Sequence, residues 1–381
     1  MKKKYVLFSI VTLVLLVALI TSFNYFKTTN TYIDDSVNNQ TKITKGISMN
    51  LEQTAGAGDY KTVTRSSWPT EGYNFNAELS RCENGSTLSW DDTKKAVIVS
   101  GNLSDKCYVY FDLTRFDETC DGSTLACRIA KQYTGTQGEN SLYYHDSTLA
   151  NGAGDNSYRY AGASNNVNNY ICLGSDATTC PDANLFRIIG VFGDQTKVIR
   201  AKSVGDKAWH SSTSSNTWST SSLNTYLNGE YLTSLGTLAD KIATTTWKVG
   251  GGSTTYLYDV PKTAYQYEVG SSASTTTYDA KIGLMYVSDY GFAADQSGWT
   301  TKLSSYNSNK SKNWLNTGKY IEWTLSRNSD NTDNAFGVIS TGYVDNYNVT
   351  KSYVVRPSFN LESSVKYVSG SGSMSGPVRV N

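Results

Sequence analysis

The sequence predicts an α+β fold of short, mostly antiparallel strands with two short helices, preceded by a membrane helix. Charged residues make up only 18 % of the chain, while Tyr reaches 28 and Gly 31 of 381 residues. That balance suits short strands and long loops better than helical bundles. Apolar residues alternate with polar ones in many brief runs, the signature of half-buried strands. Helical spacing appears at Leu223, Tyr226, Leu227 and Tyr231, behind Thr220/Ser221 as N-cap, and again at Leu235, Leu238 and Ile242.

At the N-terminus, Lys2 to Lys4 precede an uncharged apolar run, Tyr5 to Phe23, long enough to cross a bilayer. A cleaved signal has a shorter apolar core and a small-x-small site, so an uncleaved anchor over residues 1–30 is the preferred reading. The lysines then stay inside and everything beyond lies outside. Residues 31–44 are polar and read as a stalk. The net charge is +1, and four basic residues (Lys2, Lys3, Lys4, Lys27) sit at the N-terminus, leaving the remainder slightly acidic. That argues against nucleic acid as a partner.

A small disulfide-stapled β-sandwich is expected over 45–116. Ile47, Met49 and Leu51 alternate, as do Phe75, Ala77 and Leu79; Thr87–Trp90, Ala96–Val99 and Tyr108–Phe111 continue the pattern. Turns fall at Glu83-Asn84-Gly85 and Ser100-Gly101-Asn102. The six cysteines all follow the anchor, as an oxidising exterior allows. Their spacing favours Cys82–Cys107, Cys120–Cys127 and Cys172–Cys180, although six cysteines permit about 15 pairings. A zinc site needs Cys-x-x-Cys or close His partners, and neither occurs.

The larger domain spans 117–381. Ser157–Gly162 and Tyr170–Leu173 resemble a hairpin, and Leu185–Phe192 with Lys197–Ala201 makes a central one. Residues 248–278 read as a Gly/Ser/Thr/Tyr-rich insertion, and 293–312 as irregular. Three strands finish the sheet: one with Ile321, Trp323 and Leu325, one at Phe336–Ile339, and one at Tyr353–Leu361. Between them lie two polar loops, Asn328 to Asn334 and Asp345 to Thr350, of the kind that carry binding surfaces.

Chemistry is sparse. His145 and His210 are the only histidines, and Asp146 beside His145 is a neighbour in sequence only. Both are read as structural or surface residues, and no carboxylate pair stands out for glycosidase work. Asp330 and Asp333 offer oxygen donors for calcium, but at no defined spacing, so no metal and no cofactor is expected. Arg356 before Pro357 is read as pairing with a carboxylate to lock the last strands. Trp314 and Trp323 are assigned to the core, while Trp299, Asn331, Asn334, Tyr343, Asn346 and Tyr347 are the candidate ligand-binding residues. Tyr and Trp among small polar residues give large contact area at low entropic cost.

Several tracts carry a resemblance: Asp155–Tyr160, Leu185–Phe192, Ser222–Asn228, Gly283–Tyr290, Glu322–Ser326 and Val355-Arg356-Pro357. In that order they are similar to a family of anchored bacterial surface proteins of unknown function, whose C-terminal domain resembles the formylglycine-generating-enzyme branch of the C-type lectin fold. Cys82–Ser86 and Ser104–Tyr108 are similar to the small upstream module of the same proteins. The resemblance implies a C-type-lectin-like domain over roughly 117–381. Formylglycine-generating catalysis needs reactive cysteines late in the fold, and none follows Cys180. The calcium motifs of sugar-binding lectins (Glu-Pro-Asn, Gln-Pro-Asp, Trp-Asn-Asp) are absent too. The expectation is a membrane-anchored extracellular binding protein, used for adhesion or ligand recognition, whose loops take a glycan or a surface protein. The alternatives are a hydrolase or divergent modifying enzyme, and a structural envelope protein. Protease added to intact cells is expected to remove everything beyond about residue 30, whereas a protected C-terminus would refute the outside location.

Overall fold

The computed structural model describes residues 46–381 apart from 54, 57, 64–67, 70–71, 103–104 and 319. The expected anchor and stalk lie outside the described residues, among which no helix is long and apolar enough to cross a membrane. The chain is a mixed α+β protein with mostly antiparallel sheets and few short helices, and it divides after Thr114 into two compact units.

In the first unit, four strands lie in the order Tyr60–Val63, Ile47–Glu52, Cys107–Leu113, Tyr73–Cys82, and Thr87–Asp91 pairs with Ala96–Ser100 as a hairpin. Alternation along Cys107–Leu113 turns Val109 and Phe111 inward, where they meet Met49, Leu51 and Val97 of the hairpin. So small a core gains from its staple. Cys82 and Cys107 are cross-strand partners and form a disulfide.

The second unit is built on a strand buried along nearly its whole length, Leu185–Phe192. A run so apolar cannot have a wet face, and it becomes the middle of an eight-stranded sheet. One edge pairs with Gln195–Arg200, which in turn pairs with Ser358–Leu361. The other edge is shared end to end: Ser157–Tyr160 takes Gly190 and Val191, and Tyr170–Cys172 takes Leu185 to Arg187. The expected hairpin of these two segments is therefore corrected, because each uses its pairing edge on Leu185–Phe192; Leu142–His145 is the hairpin partner of Ser157–Tyr160. Gly190 is required here, since a Cβ would stand 2.2 Å from the carbonyl oxygen of Tyr158.

A five-stranded sheet follows the order Asp206–Ala208, Ser352–Val354, Glu322–Arg327, Asn334–Val338, Val344–Asn348. Two expectations change. The stretch Tyr353–Leu361 is not one strand: it breaks at Pro357, which lacks an N–H, and passes from the five-stranded sheet to the eight-stranded one. The polar loop Asp345 to Thr350 is mostly strand, because Asn346 and Tyr347 pair with Phe336 and Ala335. At the crossing, Arg356 donates from Nε to Glu322 Oε1 at 2.7 Å and from Nη2 to the Leu315 carbonyl at 2.7 Å, so the structural role expected of Arg356 holds.

The helix expected behind Ser221 forms, with the Ser221 hydroxyl accepting from the Asn224 N–H; the next turn is a 3₁₀ helix, Gly236–Lys241. The 248–278 insertion holds two helices the composition did not announce, Thr254–Leu257 and Pro261–Glu268, the latter with proline at its first position. All three expected disulfides are present: Cys82–Cys107, Cys120–Cys127 and Cys172–Cys180.

Replacing Arg356 by Met leaves Glu322 buried without its partner, and a loss of roughly 3–5 kcal/mol in denaturant unfolding is expected. The double change Arg356→Met with Glu322→Leu should lose far less; equal losses would mean that the ion pair is not what the crossing depends on.

Candidate functional site

Because the central strands are covered on both faces, any charged side chain they carry is taken inside. Gln195–Arg200 brings in Lys197, and Ser157–Tyr160, with all four residues buried, brings in Arg159. Helix Val287–Phe292 supplies Asp289, helix Pro261–Glu268 supplies Tyr265 and Glu268, and the two-stranded antiparallel sheet of Thr245–Lys248 with Thr277–Ala280 supplies Trp247.

These groups form a buried ladder of alternating charge. Arg159 Nη2 lies 2.5 Å from Asp155 Oδ2, and its Nη1 lies 3.6 Å from Asp289 Oδ1. Asp289 Oδ2 takes the ammonium of Lys197 at 2.5 Å and the Tyr286 N–H at 2.8 Å, so the same carboxylate caps the helix. Burial is the largest influence on Asp155 and works against its charge, yet Arg159, His145 and the hydrogen bonds from Ser157 and Arg159 together outweigh it and hold the carboxyl low. Lys197 ends on the other side: burial lowers its pKa more than Asp289 raises it. Next to Asp289, Glu268 accepts from the N–H groups of Val287 and Ser288 at 2.9 Å each, and from the Ser326 hydroxyl. Burial outweighs these bonds and pushes Glu268 up to about 7.

Above the ladder is a cleft of about 190 Å³ with aromatic walls: Phe192, Trp247, Tyr265 and Tyr286. The Lys197 ammonium stands 4.6 Å from the Tyr286 ring centre and 5.5 Å from that of Trp247; Arg159 stands 4.6 Å from Phe192. Such faces attract cations through the negative face of the ring quadrupole. Exposed Thr246, together with Thr245 and Asn360, makes the polar part of the lining. Asn360 donates to the Thr245 hydroxyl at 3.0 Å, while its Oδ1 is buried without a hydrogen-bond partner.

The candidate residues read from the sequence do not lie there. Trp299 is 0 % exposed, which corrects its assignment to the surface: its indole donates to the Ala294 carbonyl at 2.9 Å, and its ring packs on Phe292 and His145. Trp209, Trp218, Trp247, Trp314 and Trp323 are buried as well. The indoles of Trp209, Trp247, Trp314 and Trp323 turn inward and find backbone carbonyls there. Asn331 is exposed; Asn334 and Asn346 are half-buried and bonded to each other at 2.5 Å. Asn346 also donates to the Tyr258 hydroxyl, Tyr347 packs on Tyr353, and Tyr343 packs against the core.

His145 is fully buried, its Nδ1 accepting from the Ala153 N–H at 3.0 Å. Burial and nearby Arg159 lower its pKa to about 3, so the imidazole is neutral. His210 is buried beside Thr213. No group of three acidic, His or Cys side chains placed to hold a metal occurs among the described residues.

The residues that sequence reading missed are Arg159, Lys197, Trp247, Glu268 and Asp289. One signal was present: Lys197 follows a strand too apolar to have an exposed face, and Arg159 stands between two tyrosines in a short strand. The positions of Asp289 and Glu268 depend on helices whose packing no local pattern announces.

A family model described as a domain of unknown function (DUF6273) matches residues 193–363, which include Lys197, Trp247, Glu268 and Asp289 but not Asp155 or Arg159. No curated protein matches the chain, and no solved structure does.

Glu268 titrates from an ordinary value of 4.5 up to about 7 in the fold, so the fold favours its protonated form. The stability it contributes is complete below the unfolded value and is lost as pH rises through about 7, on the order of 3 kcal/mol in all. Glu268→Gln, uncharged throughout, is expected to flatten the fall in stability between about pH 5 and 8 relative to the wild type. Parallel unfolding profiles for the two proteins would show that Glu268 does not titrate there. Comparing the two cancels the opposing contribution of His145.

Proposed function

We propose that this chain is a membrane-anchored surface protein whose C-terminal unit recognises a glycan outside the cell. The observation that carries the reading is the cleft: aromatic walls for stacking, with hydroxyl and amide groups of Thr245, Thr246 and Asn360 beside them. At about 190 Å³ it is smaller than the roughly 300–1,000 Å³ of sites that enclose a drug-sized ligand, so it suits one ring of a larger partner. The unpartnered Oδ1 of Asn360 is an acceptor that a sugar hydroxyl could satisfy. The charged floor is internally paired and asks for no counter-ion from the ligand.

The reading keeps the C-type-lectin-like architecture that the resemblance implies, preceded along the chain by a stalk and a small β-sandwich. Three of the tracts that carry the resemblance meet at the cleft: Asp155–Tyr160 gives Asp155 and Arg159, Leu185–Phe192 gives Phe192, and Gly283–Tyr290 gives Tyr286 and Asp289. It moves the ligand away from the loops around Asn331 and Tyr343, whose polar groups are largely bonded among themselves. An anchor preceded by Lys2 to Lys4 supports the outside location.

The test is a glycan array with the purified chain and two sets of variants. Thr246→Arg crowds the cleft from an exposed position and is expected to abolish binding while changing stability by no more than about 0.5 kcal/mol. Val269→Arg blocks the same cleft from a half-buried position packed on the core, so its melting is measured beside its binding. Asn331→Ala and Tyr343→Ala are expected to leave binding intact. The reverse pattern would return the site to the loops.

A further inference from the structure

Lys197 and Asp289 are more than an ordinary ion pair. An exposed pair of this kind rearranges freely and contributes little; here both side chains are buried, 6 % and 3 % exposed, and the contact is 2.5 Å. Lys197 is fixed in a strand paired on both edges, between Leu185–Phe192 and Ser358–Leu361. Asp289 is fixed by its cap to the Tyr286 N–H and by Arg159 on its other oxygen. Amine and carboxyl are thus held at contact in a water-poor, aromatic setting, which is the condition under which positioning replaces a high concentration of reactants.

We propose that Lys197 and Asp289 condense into an intramolecular isopeptide bond. Lys197 Nζ bonds to Asp289 Cγ, the Cγ–Oδ2 bond breaks, and the departing oxygen takes two of the three ammonium protons and leaves as water. Ammonium and carboxylate become amide plus water, with no oxidant, reductant or co-reactant. Three features around the pair suit that step. Burial lowers the proton affinity of Lys197, so the nucleophilic free amine is easier to reach. Arg159 Nη1, 3.6 Å from Oδ1, faces the oxygen on which negative charge grows during attack. Glu268 binds the N–H groups of Val287 and Ser288, next in sequence to the Tyr286 N–H that Asp289 holds, and interacts with the charges of both Lys197 and Asp289, a second carboxyl through which an ammonium proton can pass on its way to the departing oxygen. The product ties a sheet strand to a helix 92 residues away in sequence. It removes one positive and one negative charge from the floor and leaves the aromatic walls as they are, so it stands or falls independently of glycan recognition.

The test is a peptide map of the full chain, reduced, alkylated, digested with trypsin and read by mass spectrometry. The expected result is no cleavage after Lys197, and a branched species joining residues 188–200 to residues 282–302, lighter than the two peptides together by one water. A linear 282–302 peptide of unshifted mass, with cleavage after Lys197, would overturn the proposal. Lys197→Arg keeps the charge and the ion pair but cannot form the amide, so its intact mass should show no deficit; a deficit that persists in this variant would place the missing water elsewhere and equally overturn it. Neither readout involves a glycan, so a failure here is distinct from a failure on the array.

Discussion

Asp289 is the point at which the second unit is tied together. One carboxylate caps the helix Val287–Phe292, faces Arg159 from one strand and holds Lys197 from another. None of these groups can reach water easily, so each depends on the others for its charge to be tolerated inside. Arg159 extends the chain of dependence to Asp155, and Glu268 extends it to the helix Pro261–Glu268 and to Ser326 of the five-stranded sheet. A buried ladder of this kind is weak evidence of stability, since an apolar replacement of equal shape often does as well. What it does do is tie two strands and two helices to one another through shared partners.

The two sheets are joined in a different way. The chain leaves the five-stranded sheet at Val354 and enters the eight-stranded sheet at Ser358, with Pro357 preventing a continuous ladder. The bonds that would have been lost are made to the flanks: the Val355 N–H donates to the Gly205 carbonyl, and the Pro357 carbonyl accepts from Arg200. Arg356 fills the gap between the sheets and finds Glu322. Both buried networks follow one rule, in which a charge enters the core only where two or more elements converge to meet it.

The cleft is the consequence of that packing. Paired charges below and rings on the sides leave a space whose walls are apolar and whose floor is already neutralised. Most of the polar loop residues behave in the opposite way: Asn334, Asn346, Tyr258 and Asp345 bond among themselves and hold the edge strand Val344–Asn348 in place. Their polarity stabilises a strand instead of advertising a ligand surface.

The sequence by itself determined what depends on neighbours along the chain. Alternation placed the strands of the first unit except Tyr60–Val63, the length and apolarity of Leu185–Phe192 made it central, Ser221 set a helix start, and short spacing paired the cysteines. It also read Arg356 as a locking residue and Trp323 as core, since each stands in a strong local pattern. Tertiary structure decided the rest. That Tyr353–Leu361 divides between two sheets, that Ser157–Tyr160 and Tyr170–Cys172 share one edge of the same strand, and that Trp299 turns inward all depend on partners far away in sequence. The site depends on them most. Arg159, Lys197 and Asp289 lie at separations no local period links, and an isolated charged residue reads as solvent-exposed until the fold shows which opposite charge it meets. Local pattern reports where a residue's own segment wants to lie, whereas a buried charge is tolerated only through contacts that the folded chain alone creates.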